Sequence, residues 1–328
     1  MSDIGFAIIG LGMGRHRAKV ATETPGAKLV TVCDLQEEKA KSMAGELGCE
    51  YTTDMDEVLK RDDVDVVGVM TPSGTHADLA MKVVEAGKHV FTTKPMDIVV
   101  EKCDALTRAA RDAGVVLAVD FDCRYGENNR RLQKFIADGG LGKVILGDVH
   151  MKWFREQGYY DGGFPAGWRR DVKYEGGSAA NQGVHYIDLL LWFVGPVADV
   201  YGRSGTLGHD IATEDISVAM LTFKNGAWGV IETTTCSYPD MGTKIEITGE
   251  VGSARWTGDV DLLKVRDKPD LKLEDIEVEP RPANIIEDMV SAINNGTPVA
   301  VDGKEGKKSV ELFNAIYESS RTGKKVVL

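Results

Sequence analysis

The sequence predicts an α/β protein of two domains: a parallel sheet wound with helices, followed by an α+β domain with a large open, mostly antiparallel sheet. Three observations predict it. The chain has 328 residues, more than single cores accommodate. From Gly5 to about Val119, short apolar runs alternate with helix-like segments, the pattern of βαβ units. After about Asp120 the texture changes to longer strand-like runs punctuated by glycine. The expected domains are therefore 1–122 and 123–328, with the C-terminal helices as candidates to pack back on the first.

Strands are expected at Phe6 to Ile9, Leu29 to Cys33, Val64 to Met70, His89 to Thr92 and Val115 to Val119. Between them, Gln36 to Leu47, Thr75 to Ala86 and Val99 to Ala113 carry apolar residues at spacings of three and four, which marks amphipathic helices. In the second part, a helix is expected over Asn128 to Ala137. Strands follow at Lys143 to Phe154, Ile216 to Phe223, Trp228 to Thr234 and Lys244 to Thr248, with Asn225-Gly226 as a turn signal. Gln182 to Phe193, Ile285 to Ile293 and Lys307 to Ser320 read as helices.

Composition narrows the function. A net charge of −12 argues against DNA or RNA, which would require a basic face. No run approaches the 18 apolar residues of a membrane span, and the N-terminus opens on an apolar strand pattern without a basic leader. The five cysteines, Cys33, Cys49, Cys103, Cys123 and Cys236, are scattered and lack Cys-x-x-Cys spacing. They read as reduced, mostly structural thiols, and the expected location is cytoplasmic. The six histidines show no zinc-type spacing, so no metal is expected. No Gly-x-Ser-x-Gly elbow is present for a serine hydrolase.

The first chemical motif is Gly10-Leu11-Gly12-Met13-Gly14-Arg15, leaving the first strand and opening a helix. Such a turn brings backbone N–H groups up to a pyrophosphate at a helix N-terminus. With 37 glycines in the chain, Gly-x-Gly pairs also arise by chance, and Arg15 fills the usual third glycine position. Context decides. Asp34 ends the second strand about 20 residues on, where an acid accepts the ribose hydroxyls of NAD. The N-terminal domain is thus read as a Rossmann dinucleotide-binding domain. A carboxylate at Asp34 disfavours a 2′-phosphate and Leu35 and Gln36 supply no cation, so NAD is expected over NADP. Asp34 could also cap the following helix.

After the fourth and fifth strands come Thr71-Pro72-Ser73-Gly74-Thr75-His76 and Thr93-Lys94-Pro95. With these motifs the sequence resembles the Gfo/Idh/MocA family, named for glucose-fructose oxidoreductase, inositol dehydrogenase and a rhizopine catabolism protein. The resemblance covers nearly the whole chain. Family members carry Glu-Lys-Pro where this chain has Thr93-Lys94-Pro95, so the glutamate is absent. The resemblance implies that Lys94 lies near the nicotinamide and hydrogen-bonds the reacting oxygen, where a cation favours alkoxide character. Thr71, Pro72, Ser73, His76 and Pro95 are expected on the cofactor side. The alternative for this segment is a proline turn with a cap at Ser73 or Thr75.

The partner motif is Gly176-Gly177-Ser178-Ala179-Ala180-Asn181-Gln182-Gly183-Val184-His185-Tyr186-Ile187-Asp188. If this segment is helical by its end, Asn181 and His185 share a face and Asp188 follows three later. A histidine on an apolar helix can equally be a core residue. The family pattern is Asp-x-Gly-x-His-x-x-Asp, which implies that His185 removes the hydroxyl proton. Asn181 stands in for the acid, able to bind hydroxyls but not to shuttle protons. Asp188 could orient His185, contact substrate or pair within the domain.

The resemblance also places Asp122, Arg124 and Tyr125, with the Trp168-Arg169-Arg170 run, beside cofactor or substrate. Tyr159 and Tyr160 are further candidates for a sugar ring, although such residues also stabilise loops. The expected activity is NAD-dependent oxidation of a secondary hydroxyl on a sugar, cyclitol or related polyol bound between the domains. Two rivals stay open: a redox-neutral NAD-using epimerase or glycosidase of the same fold, and a non-catalytic NAD/sugar-sensing regulator. An open sheet needs its outer face covered, so a homodimer or homotetramer through the C-terminal sheet is expected. Val218, Met220, Phe223 and Ile231 are its candidate contacts, with the core as their alternative destination.

Overall fold

The computed structural model describes residues 3–328. Two compact units are present: one runs up to Asp122 and includes Arg281–Lys307, and the other comprises Cys123–Pro280 and Lys308–Leu328.

In the first unit the elements are β1 (Ile4–Ile9), α1 (Gly14–Glu23), β2 (Ala27–Cys33), α2 (Glu37–Leu47), β3 (Glu50–Thr52) and α3 (Met55–Leu59). They continue with β4 (Val66–Val69), α4 (His76–Glu85), β5 (His89–Thr93), α5 (Val100–Ala113) and β6 (Leu117–Asp120). The strands form one parallel sheet in the order β3-β2-β1-β4-β5-β6. β1, β4 and β6 are buried at every position, as expected for parallel strands covered on both faces. The order reverses between β1 and β4, and in such sheets ligands bind beyond the carboxyl ends of the strands at that point.

β3 and α3 escape the sequence pattern. Three polar edge residues and a five-residue helix are too short to show a period, although Asp54 caps α3 by accepting from the Asp56 N–H at 2.8 Å.

The second unit contains α6 (Glu127–Ala137), β7 (Val144–Lys152), α7 (Gln157–Asp161), α8 (Val184–Val194), β8 (Val197–Gly205), β9 (Ile216–Phe223), β10 (Trp228–Thr234), β11 (Gly242–Gly249), β12 (Gly252–Trp256) and β13 (Val260–Val265). Its sheet runs β13-β12-β11-β7-β10-β9-β8-β14, where β14 is Val326–Val327. Only β7 and β10 pair in parallel; the other neighbours are antiparallel.

α8 is buried at nine of its eleven positions, the mark of a helix enclosed on nearly every side. It packs against β7, β11 and α6. Gly147 on β7 permits this, because a Cβ there would lie 2.8 Å from Val194 Cγ2.

The alternation on β9 and β10 settles the fate of the proposed contact residues. Val218 and Met220 are exposed, whereas Phe223 and Ile231 are buried in the core. Of the two destinations left open by the sequence, Phe223 and Ile231 take the core, since strand side chains alternate faces. Tyr201 and Trp228 join Val218 and Met220 as exposed apolar residues of β8, β9 and β10.

The C-terminal segment is shared. α9 (Ile285–Asn295) is capped by Asn284, which accepts from the Ile286 and Glu287 N–H groups, and packs on α1, β2 and β6. Its buried stripe of Ile285, Ile286, Met289 and Ala292 assigns 281–307 to the first unit, so the second unit is not the uninterrupted stretch 123–328. α10 (Gly303–Thr322) starts four residues before its expected Lys307. Its later turns close on β8, where the Gly202 and Ser204 N–H groups donate to Ser319 and Ser320.

Candidate functional site

The glycine turn sits at the end of β1, beside the point where strand order reverses. Gly10 has φ +87°, and a Cβ there would stand 2.7 Å from the Met70 carbonyl oxygen. A Cβ on Gly12 would meet nothing within 4 Å, which leaves the turn open on that side. At Gly14 a Cβ would press on Ile8 Cγ2 at 2.9 Å and Met70 Cβ at 3.0 Å. Gly14 thus performs the close helix-to-strand packing normally given to the third glycine of the fingerprint, one residue before Arg15. Met13 is exposed at the helix start.

These features fit a dinucleotide: an open cradle, a helix N-terminus and an acid at the end of β2. Gly10→Ala should cost at least about 1–2 kcal/mol from its left-handed backbone alone and weaken NADH binding, measured by thermal unfolding and NADH fluorescence titration.

Asp34 is nearly buried. Its Oδ2 accepts from the Leu11 N–H and from Lys39 Nζ, both at 2.8 Å, and Oδ1 accepts from the Gln36 N–H at 3.0 Å. Burial pushes its pKa up, but the hydrogen bonds from Lys39, Gln36 and Leu11 outweigh it and hold the carboxyl below its ordinary value. Gln36, not Asp34, occupies the cap position of α2. Lys39 was invisible to the neighbouring-residue argument because it reaches back from the first turn of the helix. Beside Asp34, Cys33 is pushed up to about 12, by burial first and then by that carboxylate, so it stays an unreactive thiol.

Beyond β4, Thr71 Oγ1 and Thr75 Oγ1 lie 2.8 Å apart, and Thr75 Oγ1 donates to the Pro72 carbonyl. Ser73 is buried. His76 departs from expectation. It is 1% exposed, with Nδ1 2.7 Å from the Pro95 carbonyl oxygen and Nε2 2.7 Å from that of Thr71. It therefore ties the loop after β4 to the loop after β5 and has no face to offer a cofactor. Burial holds its pKa below the ordinary value.

Lys94 follows the last residue of β5, at the carboxyl edge of the sheet, and is half-buried. The Lys94-Pro95 peptide is cis. Just beyond, the fully buried Asp97 accepts from the Ala77, Ile98 and Val99 N–H groups. This loop anchor carried no sequence signal.

At the end of the first unit, Arg17 pairs with the buried Asp120, Nε to Oδ2 at 2.5 Å, and donates to Asp122 Oδ1. Asp122, expected at substrate, gives one oxygen to that arginine, while 61% of its side chain stays exposed. In the second unit, Arg124 forms a two-pronged pair with Asp188 at 2.7 and 2.8 Å, both side chains almost fully buried. The guanidinium also lies over Trp192 at 4.6 Å. Both residues are therefore moved from substrate binding to holding α8 in place: the carboxylate oxygens are engaged by the guanidinium and sealed from solvent.

The motif around His185 is built differently from a single helix face. Residues 178–183 form successive turns, and α8 begins only at Val184. Glycine at 177, with φ +96°, lets the backbone pass Glu214, whose carbonyl oxygen would be 2.5 Å from a Cβ. From Gly177 to Leu191 every residue is buried except Asn181 and His185. These two polar residues are each half-buried.

Beneath them lies a polar network the sequence did not reveal. Asn181 Nδ2 donates to Oε2 of the buried Glu175 at 2.7 Å. Glu214 accepts from the Ala179 N–H, Ser178 Oγ and the Tyr317 hydroxyl at 2.7, 2.7 and 2.9 Å. Burial pushes Glu214 up to about 7 despite these donors. Its folded pKa is thus above the unfolded value, so its stabilising contribution is complete below pH 4.5 and is lost as pH rises through 7. Glu214→Gln, which mimics the protonated acid, should gain stability relative to the parent by on the order of 3 kcal/mol between pH 5 and 8. Urea unfolding at both pH values checks this.

Tyr159 accepts from Gln182 Nε2 at 3.1 Å and carries the Arg169 guanidinium over its ring at 4.6 Å. Arg169 also lies over Trp168 at 4.4 Å. His209, Asp215 and Cys236 bring potential ligand atoms within 4.8 Å of one another, a grouping invisible in their spacing. Asp215 Oδ2, however, already accepts from the Gly208 and His209 N–H groups, while His209 Nδ1 and Nε2 lie against Asp215 and the Arg155 carbonyl. The arrangement is a hydrogen-bonded staple for the loop after β8.

Residues 4–121 match the family described as "Oxidoreductase family, NAD-binding Rossmann fold", and residues 129–255 match the "GFO/IDH/MocA C-terminal domain". The chain belongs to the Gfo/Idh/MocA family. Within that family it is 30% identical over 259 residues to the scyllo-inositol 2-dehydrogenase (NAD(+)) of Bacillus subtilis, covering 76% of this chain and 73% of that protein. It is 27% identical over 238 residues to the 2,7-anhydro-N-acetylneuraminate hydratase of Mediterraneibacter gnavus, covering 71% of this chain and 62% of that one. Its fold superposes on the WlbA dehydrogenase of Bordetella pertussis in complex with NADH and UDP-GlcNAcA with a TM-score of 0.89, 31% identity and 99% coverage of both chains. The Gfo/Idh/MocA assignment makes the first unit an NAD-binding Rossmann domain of an oxidoreductase. Among the described residues, no helix is long and apolar enough to cross a membrane.

Proposed function

We propose that the protein is an NAD-dependent dehydrogenase that oxidises a secondary hydroxyl of a sugar, cyclitol or related polyol. The observation that carries this reading is the emergence of Asn181 and His185, alone in an otherwise buried stretch, from a polar network that holds their turn in place. His185 takes the hydroxyl proton, and Asn181, oriented through its amide by Glu175, binds hydroxyl groups. Lys94 steadies the oxygen from which the proton leaves, lowering the cost of alkoxide character. NAD, when bound, supplies the hydride acceptor.

Gly10, Gly12, Met13, Gly14 and Asp34 hold the dinucleotide, with Thr71, Pro72, Ser73, Lys94 and Pro95 toward the nicotinamide. Trp168 and Arg169 serve the same cofactor, an arginine suiting its phosphates. Tyr159 remains a substrate-side residue. Asp34 with two ordered acceptor oxygens favours NAD over NADP.

The exposed Tyr201, Val218, Met220 and Trp228 support a homodimer or homotetramer formed through the open sheet face. The unpaired thiols suit the cytoplasm.

The test is absorbance at 340 nm with NAD or NADP against inositols, aldoses and nucleotide sugars, after recording any cofactor retained on purification. NADH formation with one substrate group supports the dehydrogenase. Retained NAD without release across the panel points instead to redox-neutral chemistry, a reading the hydratase relative keeps specific.

A further inference from the structure

One guanidinium beside the His185 turn has no part in the scheme above. Arg155, just past β7, lies with its Cζ 4.9 Å from the Trp153 ring centre and 5.6 Å from that of Tyr159. Its Nη1 donates to the neighbouring Phe154 carbonyl at 2.7 Å, and its backbone N–H donates to Thr235. The supporting rings are themselves tied to residues on either side of the candidate base in the chain. Trp153 donates to Thr243 Oγ1 and packs edge-on against Tyr186, the residue after His185, at 6.0 Å. Tyr159 is tied to Gln182, three residues before His185.

Charge makes this placement informative. Among the described residues, no carboxylate oxygen lies within 4.0 Å of Arg155 or of Arg169. The adjacent Arg170, in contrast, spends its guanidinium on Asp161 and Asp210. Arg155 and Arg169 address the same Tyr159 ring, so their charges are no more than about 10 Å apart, close to the Debye length at 0.1 M salt.

In a chain with 51 acidic residues and 39 basic ones, two half-buried cations without acid partners are held together by aromatic faces. Their repulsion is relieved by anions. The proposed role of Arg169 toward the cofactor phosphates accounts for one of them. It leaves Arg155.

We infer that Arg155 forms an anion-recognising subsite beside His185, and that the substrate is a sugar bearing a carboxylate or phosphate, not a neutral polyol. This rests on the dehydrogenase reading for the reaction but not for the binding. A guanidinium presents a planar fork of N–H donors to two oxygens of such a group and keeps its charge at any working pH. The net negative charge of the protein repels anions at long range, so a local cation is what recognition of one requires.

The experiment is calorimetric titration of the NADH-loaded protein with matched probes: D-glucose against D-glucuronate for the carboxylate, and D-glucose against glucose 6-phosphate and UDP-glucose for the phosphate. NADH formation by the NAD-loaded protein is followed separately on the same panel. The expected result is tighter binding of one anionic class by about 30-fold, the scale of a hydrogen bond to a charged group. That preference should be lost in Arg155→Met, which keeps a stem over Trp153, and partly kept in Arg155→Lys, with the KM for NAD unchanged in both.

Equal binding of neutral and anionic probes overturns the inference. So does failure of every anionic probe to bind, or an equal loss for both kinds in Arg155→Met. Anion binding that depends on Arg155 without NADH formation from any probe upholds the subsite and counts against the dehydrogenase. NADH from a neutral polyol with no anionic preference does the reverse.

Discussion

Replacing His185 with alanine is expected to lower kcat by about 10³-fold, within the range contributed by a positioned general base, while leaving NADH affinity within about twofold of the parent. The expectation follows from position. His185 is half-buried at the start of a helix whose other positions nearby are buried, so its ring reaches solvent while its backbone is held by the packing of α8. The dinucleotide cradle lies in the other compact unit. Lys94→Ala should give a loss of the same order for a different reason: it removes the cation that stabilises charge on the oxygen. Steady-state kinetics with NADH titration on each variant measures both. Unchanged turnover in the two variants would remove the proposed chemistry from these residues.

The second large effect is on stability. Arg124→Ala should destabilise the protein by about 3–5 kcal/mol, because it leaves the Asp188 carboxylate buried without its counter-charge. Both side chains are less than 5% exposed and share two hydrogen bonds. The lost cover over Trp192 adds to the cost. The double variant Arg124→Met with Asp188→Leu should recover most of the loss, since it removes both charges and keeps apolar volume. Urea unfolding of the single and double variants tests this. A single variant within about 1 kcal/mol of the parent, the worth of an exposed pair, would mean the pair is not desolvated in solution.

Much of the fold could be read from periodicity. The inner strands of the first unit are continuous apolar runs because helices cover both faces, and β9 alternates because one face is open. Both patterns are local consequences of burial. Edge elements gave less warning, since Glu50–Thr52 is polar and only three residues long. The expected helix through Gln182 begins at Val184 instead, because Gly183 and the turns anchored by Glu214 delay it. For Phe223 and Ile231 the sequence left surface and core both open, as an apolar residue on a strand carries no label for the face it takes.

The site divides along the same line. Gly10, Asp34, Lys94 and His185 were legible from the sequence, because each belongs to a motif whose neighbours in the chain specify its setting: a strand end, a glycine turn or a helix start. What the tertiary structure decided was which polar groups are already engaged. Asp122 is taken by Arg17, Asp188 by Arg124, His76 by two carbonyl oxygens and Asn181 by Glu175, while Arg155 is left with aromatic faces and no acid. The physical reason is that buried polar groups, here Arg17, Asp188, His76 and Glu175, must find partners. Those partners lie from 5 to 105 residues away along the chain, so the motif around each residue does not name its partner.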